Sequence, residues 1–210
     1  MDPRIFQTTA IVLSNLSTLL AVLIFSWYRP HFTGSKPIKF LIIISLLSDS
    51  LNILFGLLLG QPKPSIGIVY RYAELTCLLW FYKDILNFRP GTKNSIIALL
   101  AIVAGVYWFD SNELISIRLT NNIVFILFSL VFFIKILKAL EIERIDRHSL
   151  FWINNAVFVY FTGTFFLFLL RGYLINHHYE EYPYIWTVNN LLGIVKNFMF
   201  AYAFWLCKKG

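Results

Sequence analysis

Charged residues are scarce in this chain. They make up 14% of its 210 residues, whereas 58% are hydrophobic and the mean hydropathy is +0.68. An ordinary soluble domain carries about 25% charged residues. A membrane span uses about 20 residues, so 210 residues leave no room for both a bundle of spans and a separate soluble domain. The composition therefore excludes an ordinary soluble protein and predicts a single transmembrane domain over residues 1–210.

Residues that build metal centres and disulfide frameworks are also rare. The two cysteines, Cys77 and Cys207, lie inside apolar segments, and all four histidines fall in predicted loops. The chain has no CxxC or Cys/His spacing suited to a metal, and no glycine-rich phosphate loop. We therefore expect no disulfide framework, no metal site and no resident cofactor.

Seven long apolar segments do run along the chain, separated by short polar ones. They cover about residues 7–27, 40–59, 66–82, 95–109, 119–134, 150–170 and 185–207. The first is long enough to span a membrane and lacks a small-residue cleavage site, so no cleaved signal peptide is expected. The pattern predicts an all-α, seven-transmembrane helix bundle, in which an odd number of spans puts the termini on opposite sides.

Basic residues predict which side is which. The loops after spans one, three and five, together with the C-terminal tail, carry twelve Lys and Arg residues, and the opposite side carries four. Cytoplasmic loops carry the excess of Lys and Arg, so the N-terminus is predicted outside and the C-terminus inside. The net charge of +7 is spread over short segments beside spans, where anionic lipid is the natural counterion. Nucleic acid is therefore not an expected partner.

Four ionisable residues remain inside the predicted spans: Asp49, Arg71, Glu74 and Lys196. A single charge at the bilayer centre costs roughly 2.5 to 3.5 kcal/mol on insertion scales. At about 1.5 Å per helical residue, Asp49 lies about 15 Å from the inner end of span two. Glu74 lies about 12 Å from the outer end of span three, and Lys196 about 16 Å from the outer end of span seven, by the same rise. Because all three reach the middle of the membrane, we expect the four groups to face inward and neutralise one another.

Other polar residues share the predicted inward faces of these helices. They are Ser45, Asn52, Asn154, Asn155, Asn189 and Gly193. Spacings of three and four residues put such side chains on one helix face, and a glycine leaves room for a neighbouring helix or a ligand. We expect Asn52 and Asn189 to join the four ions in a ligand site or switch, with the others as support. A purely structural polar network is the alternative, although ionisable residues within membranes tend to mark functional sites.

Three stretches resemble one protein family. "RYAEL" in span three, "GTFFLFLL" from Gly163 and "WTVNNLLGIVKNFMFAYAF" from Trp186 are similar to an uncharacterised family of small bacterial seven-span membrane proteins. Genes of that family often lie beside sensor histidine kinases. The resemblance implies a multi-pass protein of the bacterial cytoplasmic membrane with a connection to signalling, and it supplies no ligand and no reaction.

Two other membrane families share single features with the chain. "YRYAE" and the span-seven lysine resemble microbial rhodopsins, whose lysine binds retinal, but Leu192 stands where that family has an aspartate. Ser45 and Asp49 resemble the ceramidase and lysoplasmalogenase type of hydrolase, whose chemistry needs histidines in the last span, where this chain has none. Neither retinal nor hydrolysis is the favoured prediction.

Transport is the remaining alternative, since a charge cluster at mid-membrane suits a carrier. Carriers commonly show internal repeats and helices broken by Gly or Pro, and neither is evident here. We therefore predict a non-enzymatic sensor or signalling partner, with a transporter as the alternative and a lipid-modifying hydrolase as a further one. The expected partners are the lipid bilayer, a sensor kinase or other membrane protein, and a small or lipid-like ligand.

Overall fold

The structure is a computed structural model, and it describes residues 3–28, 32–59, 64–86, 113–139, 145–177 and 182–207. These residues form six α-helices and no strand, with one short 3₁₀ turn at Ile145–Arg147. The helices are α1 (Pro3–Tyr28), α2 (Ser35–Leu59), α3 (Pro64–Leu86), α4 (Glu113–Ala139), α5 (Ser149–His177) and α6 (Tyr182–Leu206). Each contains one of the predicted spans almost completely and extends past it at one or both ends. The predicted span at 95–109 lies outside the described residues.

Four helices are long and apolar enough to cross a membrane, so the chain is a helical membrane protein. The qualifying segments are Thr8–Tyr28 of α1, Ser35–Gly56 of α2, Leu119–Lys138 of α4 and Ser149–Arg171 of α5. Of the described helices, α3 and α6 fall short of the same criterion. They are the helices that carry Arg71, Glu74 and Lys196 in their middle turns. The two helices that fall short of the criterion are therefore those that supply most of the buried charge.

The six helices form a closed ring in which each packs mainly on two neighbours, in the order α1, α2, α3, α4, α5, α6 and back to α1. Most neighbours run antiparallel, as the stacked pair Phe40 and Trp80 shows for α2 and α3. α1 and α6 run parallel, because Gly193 lies beside Ser14 and, one turn later on both helices, Asn197 lies beside Ser17 and Thr18. The N-terminal end of α1 and the C-terminal end of α6 therefore lie at opposite ends of the bundle.

α3 and α4 also run in the same direction. The ammonium group of Lys135, near the end of α4, donates a hydrogen bond of 2.7 Å to the carbonyl of Ile85, near the end of α3. The last carbonyl groups of a helix have no later N–H group in the same helix to donate to them, and this lysine supplies a donor for one of them. Consequently Leu86, where α3 ends, and Glu113, where α4 begins, lie at opposite ends of the bundle.

The buried apolar core fills one half of this bundle. Its residues come from the ends of α3 and α6 and the starts of α2 and α5, with the second half of α1 and the middle of α4, as Phe81, Phe125, Phe161 and Phe204 illustrate. Aromatic rings interlock there, with 4.8 Å between the ring centres of Phe125 and Phe161. The half in which α1, α3, α4 and α6 begin is the more polar one, and it holds the candidate site.

One glycine shapes the core end of the bundle. Gly34 ends the α1 to α2 connection with a φ of 80°, a conformation that residues with a Cβ rarely adopt. A Cβ at this position would also lie 2.8 Å from the ring of Phe81. The close approach lets α2 begin directly against α3.

Candidate functional site

Glu74 is the centre of the buried ion cluster. Its side chain is 1% exposed, and its Oε2 atom lies 2.6 Å from Nη1 of Arg71, one helical turn earlier on α3. The hydroxyl of Tyr70 donates a second hydrogen bond, of 3.2 Å, to Oε1. Residues three and four positions apart lie on the same helix face. α3 therefore presents Tyr70, Arg71 and Glu74 together as one preassembled unit.

Lys196 joins this unit from α6. Its Nζ atom lies 3.8 Å from Oε1 of Glu74, which makes an ion pair longer than a hydrogen bond. The same Nζ lies 4.1 Å from the ring centre of Tyr160 on α5, within the range of a cation–π interaction. Lys196 is 7% exposed. A lysine in the middle of an apolar helix is thus accommodated by a carboxylate from α3 and an aromatic face from α5.

Asp49, on α2, is the fourth ion predicted for the cluster. It is half-buried and lines the same cavity as Arg71 and Lys196. Within the described part of the chain, no Lys or Arg nitrogen lies within 4.0 Å of its carboxylate, and it forms no hydrogen bond. The structure thus brings all four predicted ions to one site. Three of them make close contacts there, and Asp49 does not.

A cavity of about 220 Å³ lies beside these ions, and every described helix except α4 contributes residues to its lining. Its wall is mostly hydroxyl and amide groups. On α1 and α2 these are Ser14, Thr18, Ser45, Ser48 and Asn52. On α6 they are Asn189, Asn190 and Asn197, with Gly193 between them. The predicted residues Ser45, Asn52, Asn189 and Gly193 therefore all line the cavity.

The cavity is elongated along the helix axes. On α6 it runs from Trp186, in the second turn, to Asn197, which is about 16 Å at 1.5 Å per residue. On α3 it begins at Gly67, in the first turn. It therefore extends from mid-bundle toward the end where α3 and α6 begin. The apolar core occupies the opposite half.

A hydrogen-bonded contact between α1 and α6 supports the cavity wall. The side-chain amide of Asn197 donates to Oγ of Ser17 at 3.0 Å and to Oγ1 of Thr18 at 2.8 Å. Close packing accompanies it, since a Cβ added to Gly193 would lie 3.6 Å from Oγ of Ser14. Small and polar residues commonly hold membrane helices together in this way. The contact fixes the position of Lys196, the residue before Asn197.

Asn154, which the sequence places among the supporting residues, lies in a different network. Its Oδ1 atom accepts a 2.8 Å hydrogen bond from the hydroxyl of Tyr82, and its amide donates to the backbone carbonyl of Ser129. Tyr82 also bonds Oγ of Ser129 at 2.7 Å. This network joins α3, α4 and α5 within the apolar core. Neither Asn154 nor the half-buried Asn155 is among the cavity-lining residues.

Several residues of the site were not predicted from the sequence. Tyr70 and Asn197 could have been found, because one lies a helical turn before Glu74 and the other directly follows Lys196. The polar residues of α1, including Ser14 and Thr18, also follow a four-residue spacing that marks one helix face. Tyr160 carried no such signal, since its contact with Lys196 depends on how α5 packs against α6.

The arrangement is suited to holding a small polar molecule. Hydroxyl and amide groups can donate and accept hydrogen bonds, and the ions at the inner end of the cavity can recognise charge. Comparisons with protein-family models, with curated proteins and with solved structures gave no match. The geometry of this cavity is therefore the basis for assigning a function.

Proposed function

We propose that this membrane protein binds a small ligand in the cavity and acts as a non-enzymatic sensor or signalling partner. The observation that carries the proposal is a polar cavity that ends on a buried ion cluster, with a packed apolar core beyond it. Ionisable groups within membrane helices are expensive to bury and tend to mark ligand sites and switches. A cavity that stops at mid-bundle suits a site that receives a ligand from one side.

The topology we propose is seven spans, with the N-terminus outside and the C-terminus inside. The common direction of α3 and α4 supports it, because the end of α3 and the start of α4 lie at opposite ends of the bundle. Basic residues support the orientation. The described ones that cluster at the core end are Lys36, Lys39, Lys83, Lys135, Lys138 and Arg147. With that end inside, the cavity faces the exterior of a bacterial cytoplasmic membrane.

The switch we propose is the contact between Lys196 and Glu74. This ion pair joins α6 to α3, and at 3.8 Å it is weaker than the Arg71 to Glu74 contact of 2.6 Å. An anionic group in the cavity competes with Glu74 for the ammonium of Lys196, which shifts the balance between two positions of α6. A ligand moves such an equilibrium only by binding the two states differently. α6 leads directly to the basic C-terminal tail, where a kinase or another membrane protein would read the change.

The test compares Lys196→Met with Lys83→Met in cells that lack the native gene. Lys83 is exposed near the end of α3 and serves as the matched control. We expect Lys83→Met to restore phosphorylation of the proposed partner, a sensor histidine kinase, and Lys196→Met to fail, with equal membrane insertion shown by protease protection. Wild-type phosphorylation with Lys196→Met would show that the switch is wrong.

Transport remains the second hypothesis from the sequence, and it predicts a different result. A carrier in sealed vesicles would move solute from one side to the other, whereas a receptor would bind it without net flux. Equilibrium binding to purified protein, with no accumulation in proteoliposomes, is the result we expect.

A further inference from the structure

The site leaves one cation and one anion with unused bonding capacity. Glu74 already accepts hydrogen bonds from Arg71 and Tyr70 and forms an ion pair with Lys196. In contrast, the ammonium of Lys196 donates no hydrogen bond within 3.5 Å to any other described residue. The carboxylate of Asp49 likewise has no hydrogen bond or close cation in the described ranges. Both groups line the same cavity, so opposite charges are available to whatever occupies it.

The wall of the cavity argues for a polar occupant. It is lined by serine, threonine and asparagine side chains on three helices, which an acyl chain or a polyene would leave without hydrogen bonds. One acceptor is free to bond a ligand, because Oδ1 of Asn189 is buried and has no hydrogen-bond partner in the described part of the chain. A water molecule takes about 30 Å³ in the liquid, so a cavity of about 220 Å³ has room for a small solute.

We propose that the ligand is a small zwitterion, such as a neutral α-amino acid. Its anionic group contacts the ammonium of Lys196 near Arg71, and its ammonium group contacts the carboxylate of Asp49. The inference rests on the ligand-binding role proposed above and names its ligand class. A zwitterion supplies a partner for each of these two ions and adds no net charge to a site within the membrane, where an unpaired charge is strongly disfavoured. A simple anion would leave Asp49 without a close cation, and a simple cation would leave Lys196 with only its long contact to Glu74 and the ring of Tyr160.

The first experiment uses the wild-type protein, purified in nanodiscs. Isothermal titration calorimetry is run with each neutral amino acid singly, and with taurine as a zwitterion that carries a different anionic group. The tightest binder is then compared with two analogues, the acid that lacks the amino group and the amide that lacks the carboxylate. We expect both analogues to bind at least about tenfold more weakly, because each loses one charge-assisted contact of about 1.4 kcal/mol or more.

The second experiment separates the roles of the two ions. In Asp49→Asn the zwitterion should lose about tenfold or more in affinity, while the deaminated acid should bind within about threefold of its wild-type affinity. Lys196→Met should show the reverse preference, keeping the amide and losing the zwitterion. Asp84→Asn and Lys83→Met, which alter charges outside the cavity, are the controls. The analogue comparison uses wild-type protein only, so it decides the question even if a variant does not fold.

Three outcomes would overturn the inference. The first is no binding by any zwitterion of the panel, and the second is a deaminated acid that binds as tightly as its parent. The third is an amide that does so. The second or third result would leave a ligand-binding protein with a simpler site. The proposed signalling role fails separately, through wild-type phosphorylation with Lys196→Met.

Discussion

Glu74→Gln is the sharpest test of the buried ion cluster. The carboxylate is 1% exposed and is shared by Arg71 at 2.6 Å and Lys196 at 3.8 Å. Glutamine keeps the shape of the side chain and can still accept from Tyr70, but it removes the negative charge. Breaking a buried ion pair by removing one partner destabilises a protein by about 3 to 5 kcal/mol. We expect a loss of about 3 kcal/mol, the lower end, because Asp49 lines the same cavity and supplies a second negative charge.

The assay is reversible unfolding in mixtures of sodium dodecyl sulfate and a mild detergent, followed by intrinsic tryptophan fluorescence. Asp84→Asn removes a carboxylate from the same helix at a position without an ion pair or hydrogen bond in the described residues, and it should change stability by less than about 0.5 kcal/mol. The double variant Arg71→Met with Glu74→Gln removes the main cation as well. It should recover at least about 1 kcal/mol of the loss, because a missing pair is less damaging than an unpaired charge. The reasoning is refuted if Glu74→Gln is as stable as Asp84→Asn.

Three further changes test other parts of the structure, each with the same unfolding assay. Asn197→Ala removes both hydrogen bonds between α6 and α1 and should destabilise the protein by about 0.6 to 2 kcal/mol, the range for such bonds between membrane helices; an unchanged stability would contradict the contact. Gly34→Ala should destabilise by about 1 kcal/mol or more because its φ is positive. By contrast Gly56→Ala, with no atom within 4 Å of the added methyl group, should stabilise α2 by up to about 1 kcal/mol. If the two substitutions change stability equally, the positive φ of Gly34 does not require a glycine. Burial lowers the pKa of His148, just before α5, below its ordinary 6.5. Between the lower folded pKa and about 6.5 the unfolded chain therefore binds more protons than the folded one. The free energy of unfolding should fall as the pH drops through this range. His148→Gln should lose that part of the pH dependence, and an identical pH profile would show that His148 is not its source.

The helices were predictable because the physical signal is local. Hydrocarbon cannot satisfy a backbone polar group, so each apolar segment of about 20 residues has to form its own hydrogen bonds as a helix. The described helices follow the predicted spans and extend beyond them, since each predicted span covers only the apolar segment and the helix continues into the polar residues beside it. Lys135 shows the difference: it was counted as a loop residue, yet it lies within α4 and satisfies a carbonyl group of α3.

The residues of the candidate site were largely predictable from the sequence, whereas the contacts among them were not. Charges inside apolar segments identify themselves, and helical spacing indicates which neighbours share their face, as for Asn189, Gly193 and Lys196. Partner choice is a different matter. Glu74 takes both cations at close range, whereas Asp49 lines the same cavity without a close partner, and nothing in the spacing distinguishes the two carboxylates.

The sequence by itself determined the class of the protein, its helices and the four ions that need an interior environment, because those properties depend on the transfer of residues from water to lipid. Only the tertiary structure decided that Asn154 belongs to the core network with Tyr82, that Tyr160 faces Lys196, and that the cavity ends where the aromatic core begins. These contacts depend on the order and direction of helices around the ring. That order is set by packing between segments far apart in the chain, which no local pattern of residues records.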